Sequence, residues 1–269
     1  MQLAEELARR AGGAIENARL YTERTRIAHT LQARLLPDRL PEIPGAKLAA
    51  RYRAAGELNE VGGDFYDVFP RSETEWALVV GDVSGKGAEA AAVTALARYS
   101  LRAAALEDGQ PSAALQRLNA AMLHEGSGQF ATVVLAYVSA AEPAGLRVRL
   151  ALGGHPPPLI LRADGRVDAC ERYGTLLGML PDPRIHDAAF ELGVGDVLLL
   201  YTDGVTEAGP RGEPLGVEGV RAMLAGLAGR DPQGIVDAVE AAAVGAQTGE
   251  PRDDVALLAL AVPLNPSRA

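Results

Sequence analysis

Val79 to Val93 reads VVGDVSGKGAEAAAV. An apolar run ends at an acid, Asp82. Glycines 81, 85 and 87 then surround Ser84 and Lys86, and alanine-rich sequence follows. One reading is a phosphate-cradling loop, which needs G-x-x-x-x-G-K followed by Ser or Thr. Here only Asp82, Val83 and Ser84 separate Gly81 from Gly85, and Lys86 is followed by Gly87. The spacing is one residue short and the hydroxyl that would hold magnesium is missing. The dinucleotide spacing G-x-G-x-x-G is absent too. What remains is a strand ending in an acid, a tight glycine turn and a long helix over about 87–106.

Working outward, the order of elements decides the fold class. Residues 36–45 (LPDRLPEIPG) hold three prolines and read as a linker. AKLAARYRAA, DFYDVF and WALVVGDV read as strands, from their alternation and apolar runs. A second helix starts near Pro111, a residue suited to a first helical turn. FATVVLAYV, LRVRLAL, PLILR and RVDACE follow as strands, and Asp164-Gly165 between the last two is a hairpin turn signal. DVLLLYTDG is a strand ending at an acid. Helices are expected over about 217–227 and 232–247, and DVALLALAV is the last strand. Strands in runs, not in strict alternation with helices, argue against a doubly wound parallel sheet. They predict an antiparallel sandwich with helices outside.

The chain has 269 residues, 48% of them hydrophobic, enough for a sizeable core. Net charge is -9, and only two of the 26 basic residues are lysines, Lys47 and Lys86. This is a poor partner for a nucleic-acid polyelectrolyte. Cys170 is the single cysteine, so no intrachain disulfide or thiolate cluster can form. The four histidines show no ligand spacing. No signal-peptide core or bilayer-length apolar run is present. A cytoplasmic protein with no membrane contact is expected.

Residues 1–36 differ from the rest. Leu7, Ala14, Tyr21, Ala28 and Leu35 recur every seventh position, a helical seam. Gly12-Gly13 weakens an isolated helix by roughly 1 kcal/mol per glycine, so the segment needs a partner surface. That surface is either a second copy, giving a homodimer, or its own domain.

Acids sit beside apolar strands at four places: Asp64 in VGGDFYD, Asp82, Asp203 in LLLYTDG, and the pair Asp253-Asp254 before VALLAL. One such acid is more often a turn former. Four flanking the same core form an oxygen-only donor set suited to Mg²⁺ or Mn²⁺.

EVGGDFYDVF, GDVSGKGAEAA, GGHPPPLIL, LLLYTDGVTEA and RDDVALLAL occur in this order. Together they resemble the SpoIIE/RsbU-type branch of the metal-dependent, protein phosphatase 2C-like (PPM) serine/threonine phosphatases, over about residues 31–262. The resemblance implies an α+β, four-layer αββα sandwich of two antiparallel sheets flanked by helices, preceded by a long N-terminal helix. It implies two Mn²⁺ or Mg²⁺ ions. Asp82 would bridge them, the Val83 carbonyl would bind one, Asp203 and Asp253 the other, and Asp64 would act directly or through water. Asp253 is preferred over Asp254 as the ligand. The ions would lower the pKa of a bridging water, whose hydroxide attacks phosphorus in line.

The substrate implied is a phosphorylated protein, an anti-sigma factor antagonist, in partner-switching signalling. The alternatives are an inactive binding module of the same fold and a phosphatase of small phosphoesters. Residues 1–36 resemble the closing helix of a GAF sensory domain, with the phosphatase domain at 37–269.

The sequence departs from eukaryotic-type relatives in one place. Asn59 stands near the position of their phosphate-binding arginine, and the nearest arginines are Arg51 and Arg53. Lys86 is either a phosphate ligand or a solvated loop lysine. His155 is either a general acid or a residue of a rigid turn, and Pro156-Pro157-Pro158 favours the turn.

Overall fold

Apolar runs buried on both faces become the central strands. β10 (Val255–Ala261) has all seven residues buried. Ala256, Leu258 and Leu260 face one core, and Val255, Leu257 and Ala259 face another. A strand pressed from both sides carries no polar alternation, so its sequence is a continuous apolar run.

The computed structural model describes residues 9–16, 18–19, 22–23, 35–54, 62–141, 144–210, 212–246 and 253–264. β1 (Lys47–Arg53), β10, β9 (Val197–Tyr201), β6 (Leu159–Leu161) and β7 (Val167–Ala169) form the first sheet in that order. The second is β2 (Asp64–Pro70), β3 (Glu75–Val83), β4 (Ala131–Ala140), β5 (Leu146–Gly153) and β8 (Asp187–Leu192). Every pairing between these strands is antiparallel. Val80, Val134, Leu150, Leu198 and Leu258 fill the space between the sheets.

α1 (Ala88–Glu107) and α2 (Pro111–Glu125) cover the second sheet, packing Ala97, Leu101, Leu115 and Leu118 on Val79, Leu135 and Tyr137. α3 (Asp203–Thr206), α4 (Gly216–Ala225) and α5 (Pro232–Ala246) cover the first, burying Val205, Val220, Leu224, Ile235 and Val239. The result is the expected four-layer αββα sandwich. Among the described residues, no helix is long and apolar enough to cross a membrane.

Local chemistry matches the elements. Pro111 opens α2, and Gly126, at φ 69°, closes it. The Asp164-Gly165 hairpin forms as read, with Gly165 at φ 87° and the Asp164 carboxylate accepting the Arg166 amide. α1 has no basic residue in its last turn. Arg71, from the β2–β3 turn, donates to Ala105 O and Asp108 O instead.

Residues 187–192, unassigned from sequence, form the edge strand β8, where Ala188 and Phe190 pack inward and the alternate residues face solvent. Of the seven-residue seam, Leu7, Tyr21 and Ala28 lie outside the described residues. Residues 9–16 are helical and exposed, Ala14 among them, and Leu35 packs against Ala91 and Ala95 of α1.

Candidate metal centre

Register brings the acids together. Asp64, the first residue of β2, pairs directly with Asp82, near the end of β3. Both point into the space between the sheets, on the face that carries Val68, Leu78 and Val80. Asp203 opens α3 immediately after β9 of the opposite sheet, and Asp253-Asp254 lead into β10 beside it. Antiparallel pairing puts the start of β2, the end of β3, the end of β9 and the start of β10 at one edge of the sandwich. There one oxygen each of Asp64, Asp82 and Asp203 lies within 4.8 Å of the others.

Two glycines make room for this cluster. A Cβ on Gly63 would sit 1.9 Å from the Val83 carbonyl oxygen and 2.7 Å from Asp82 Oδ1. A Cβ on Gly62 would overlap the Asp254 carboxylate. Gly63 O also accepts the Val83 amide at 3.1 Å. The glycine pair thus lies against both the Val83 carbonyl and the acids.

The electrostatics are those of anions without a counter-cation. Among the described residues, Asp64, Asp82, Asp203 and Asp253 have no ion pair. Burial, then the Asp82 charge, raises Asp64 well above the usual carboxylate range. Burial, followed by Asp203 and Asp253, pushes Asp82 up to about 7. Burial, then Asp253 and Glu207, pushes Asp203 up to about 6. Buried carboxylates this close demand either protons or cations.

The donor set fits divalent cations. It is all oxygen, which suits hard ions. Asp203 Oδ1 is buried without a hydrogen-bond partner, an orphaned acceptor on a residue of the cluster. Asp253 stands just outside the triad; its charge acts on Asp203 and Asp82, and its Oδ1 accepts the Asp254 amide at 2.9 Å. Asp254 is buried and accepts the Tyr52 hydroxyl at 3.3 Å.

The other candidates fall elsewhere. His155 is buried, with Nδ1 2.9 Å from the Thr132 hydroxyl. Burial pushes its imidazole down to about 3, the Tyr201 and Thr132 backbones opposing this only in part. Burial thus disfavours the charged ring, which suits a turn-building histidine better than a general acid. Arg51 and Arg53 point away from the cluster, paired with Asp237 and Glu240 of α5. Asn59 lies outside the described residues. Lys86 is exposed in the loop that follows Asp82 and Val83. Cys170 is buried, and burial raises its thiol pKa, which disfavours the reactive thiolate.

The first amide of the glycine loop is already used within the fold. The Ser84 amide donates to Phe130 O at 2.9 Å, and Ser84 Oγ accepts the Phe130 amide at 3.0 Å. Thr202 and Tyr52 are site neighbours that sequence reading did not find. Thr202 stands beside Asp203, but nothing in its identity says that its hydroxyl reaches Asp64.

Comparison with known proteins adds the family. The model of the family described as stage II sporulation protein E (SpoIIE) matches residues 72–263. The chain is 26% identical over 183 residues to the phosphoserine phosphatase RsbU of Bacillus subtilis, covering 67% of this chain and 52% of RsbU. It spans between 32% and 52% of the length of the curated relatives it matches first. The crystal structure of the RsbU and RsbW domains of Rv1364c from Mycobacterium tuberculosis superposes with a TM-score of 0.70 at 30% identity, over 83% of this chain and 62% of that one. The SiaA-PP2C domain of Pseudomonas aeruginosa superposes with a TM-score of 0.76 at 22% identity, over 92% and 98%. That likeness establishes the fold as the PP2C one.

Proposed function

We propose that this chain, which belongs to the SpoIIE family, is a Mn²⁺- or Mg²⁺-dependent protein serine/threonine phosphatase. The observation that carries the reading is the convergence of Asp64, Asp82 and Asp203 from two sheets, with no counter-cation among the described residues. RsbU, its relative, is named a phosphoserine phosphatase. Two ions would be held by Asp64, Asp82, Asp203, Asp253 and the Val83 carbonyl. Ions bound there would supply Lewis-acid chemistry, drawing down the pKa of water and neutralising phosphoryl charge. The chain's own part is to hold the acids in place with Gly62 and Gly63, and to keep His155 out of the proton chemistry. Lys86, exposed four residues after Asp82, is our candidate partner for the substrate phosphate.

The substrate we propose is a phosphorylated anti-sigma factor antagonist, in partner switching within the cytoplasm. The Rv1364c structure places an RsbU domain in one protein with a second domain, RsbW, and the relative RsbU is named a phosphoserine phosphatase; both support a phosphoprotein substrate. We further propose that residues 1–36 form a helix ending a sensor unit and support a homodimer, with residues 37–269 as the phosphatase domain.

The test is hydrolysis of a phosphoserine protein with Mn²⁺ and with chelator. Asp82→Ala and Asp203→Ala are each expected to lower the rate by at least about a thousandfold, as loss of a metal centre does. Full activity in chelator, or in either variant, defeats the reading.

A further inference from the structure

Thr202 is completely buried at the end of β9, between the two sheets. Its hydroxyl oxygen accepts the Ala256 amide of neighbouring β10 at 2.9 Å. Its single hydrogen therefore points elsewhere. The acceptors in range are Asp64 Oδ2 at 2.6 Å and Ala256 O at 3.5 Å. The second is too long to compete for an O–H donor, whereas the first has the length of a charge-assisted bond to a carboxylate. The hydroxyl is thus a fixed relay, taking an amide from the first sheet and giving its proton to an acid of the second.

We infer that Thr202 is a positioning residue for the metal centre, holding Asp64 by one oxygen so that the other faces Asp82 and Asp203. This rests on the metal reading above. With Oδ2 anchored on Thr202, the plane of the carboxylate and the place of Oδ1 are fixed, and each oxygen keeps a lone pair for a cation. Without the hydroxyl, Asp64 can rotate about its side chain and turn both oxygens toward Asp82, its direct partner across the β2–β3 register. Thr202 also precedes Asp203 in the chain. One dipeptide therefore supplies an acid from the first sheet and orients an acid of the second. Any shift of β9 against β2 changes both together.

The role differs from mere packing. Valine matches threonine in shape, and in place of the hydroxyl it leaves the Ala256 amide unpaired and Asp64 without its donor. Serine keeps the hydroxyl and removes only a methyl group.

The experiment is calorimetric titration of Mn²⁺ into the chelator-stripped full chain, for wild type, Thr202→Ser and Thr202→Val. Thermal melting by circular dichroism serves as the folding control. Thr202→Val is expected to weaken Mn²⁺ binding about 10- to 100-fold, the usual effect of removing a hydrogen bond to a metal ligand. Thr202→Ser is expected to stay within about threefold, well short of that loss. In turnover of a phosphoserine protein, the valine loss is expected in the Mn²⁺ concentration for half-maximal rate, with the rate at saturating Mn²⁺ largely kept. Wild-type affinity in a folded valine variant overturns the inference, and so does a serine variant as weak as valine. If the valine variant does not fold, Thr202→Cys, with a weaker donor in similar volume, is read by the same criteria. A wild-type chain that binds no Mn²⁺ defeats the metal reading itself, a result distinct from equal binding by wild type and variant.

Discussion

Asp82 shows how a residue's neighbours set its chemistry. Its pKa on folding rises from the usual carboxylate value to about 7, through burial and then Asp203 and Asp253. An acid raised in this way favours the fold fully below its unfolded value. That contribution is lost as pH rises through about 7. Without metal, Asp82→Asn removes a repulsion that exists only at higher pH. It is expected to melt roughly 5 °C above wild type at pH 8, about 2 kcal/mol after discounting for partial exposure. The gap should close toward pH 5, and Mn²⁺ should raise wild type but not the variant. Scanning fluorimetry across pH, with and without Mn²⁺, checks this, and a pH-independent gap contradicts it. His155 has the opposite sign. Its lowered pKa makes its contribution present above the unfolded value near 6.5 and lost as pH falls toward about 3. NMR should show no titration of its ring between pH 5 and 8. Gly63 is a steric matter, since a Cβ 1.9 Å from the Val83 oxygen forces the β2 start away from β3. Gly63→Ala is expected to weaken Mn²⁺ binding at least tenfold by calorimetry, as loss of metal-site geometry does.

At the scale of elements, β2 is fastened at two points. Asp64 faces the other sheet, and three residues later Asp67 faces α1. Asp67 is buried and accepts Arg98 Nε at 2.8 Å, Arg102 Nε at 2.6 Å and Arg102 Nη2 at 2.8 Å. Burial works against its charge, but the hydrogen bonds from Arg102 and Arg98 prevail and hold its carboxyl below the usual range. Breaking a buried pair from one side is costly, because the remaining charge is stranded. Asp67→Ala is expected to lose about 3 kcal/mol in urea unfolding. A loss below about 0.5 kcal/mol would mean the pair contributes no more than a surface one. The acid itself is plain in DFYD, but its ion pairs are not. Arg98 and Arg102 are four apart on a helix, and only the docking of α1 on β2 turns that spacing into a clamp. β8 escapes a reading of the chain for a related reason. DAAFEL has no clean alternation of apolar and polar residues, since Ala189 lies on the solvated face, and its identity as a strand depends on β5 being beside it.

For the whole molecule, the acidic cluster proposed to hold metal lies where two sheets meet. A cation held there couples them, and binding only the folded state stabilises it by about 2.7 kcal/mol at a hundredfold excess over Kd. A homodimer through residues 1–36 is expected in sedimentation, with the chain lacking residues 1–30 monomeric; two monomers dismiss the dimer. The order of residues alone is enough for most of the elements, for the antiparallel sandwich and for picking out the acids proposed to hold metal. Those follow from burial, since strands pressed from both sides must be apolar and an acid at such a strand's end stands out. The short count in GDVSGKG likewise excludes the phosphate loop on spacing alone. Folding in three dimensions is what settles which acids touch, that Arg51 and Arg53 pair with α5, that His155 is buried, and that the Thr202 hydroxyl reaches Asp64. These depend on register and on the facing of two sheets. Contacts between residues 138 positions apart, such as Thr202 and Asp64, leave no local pattern in the chain.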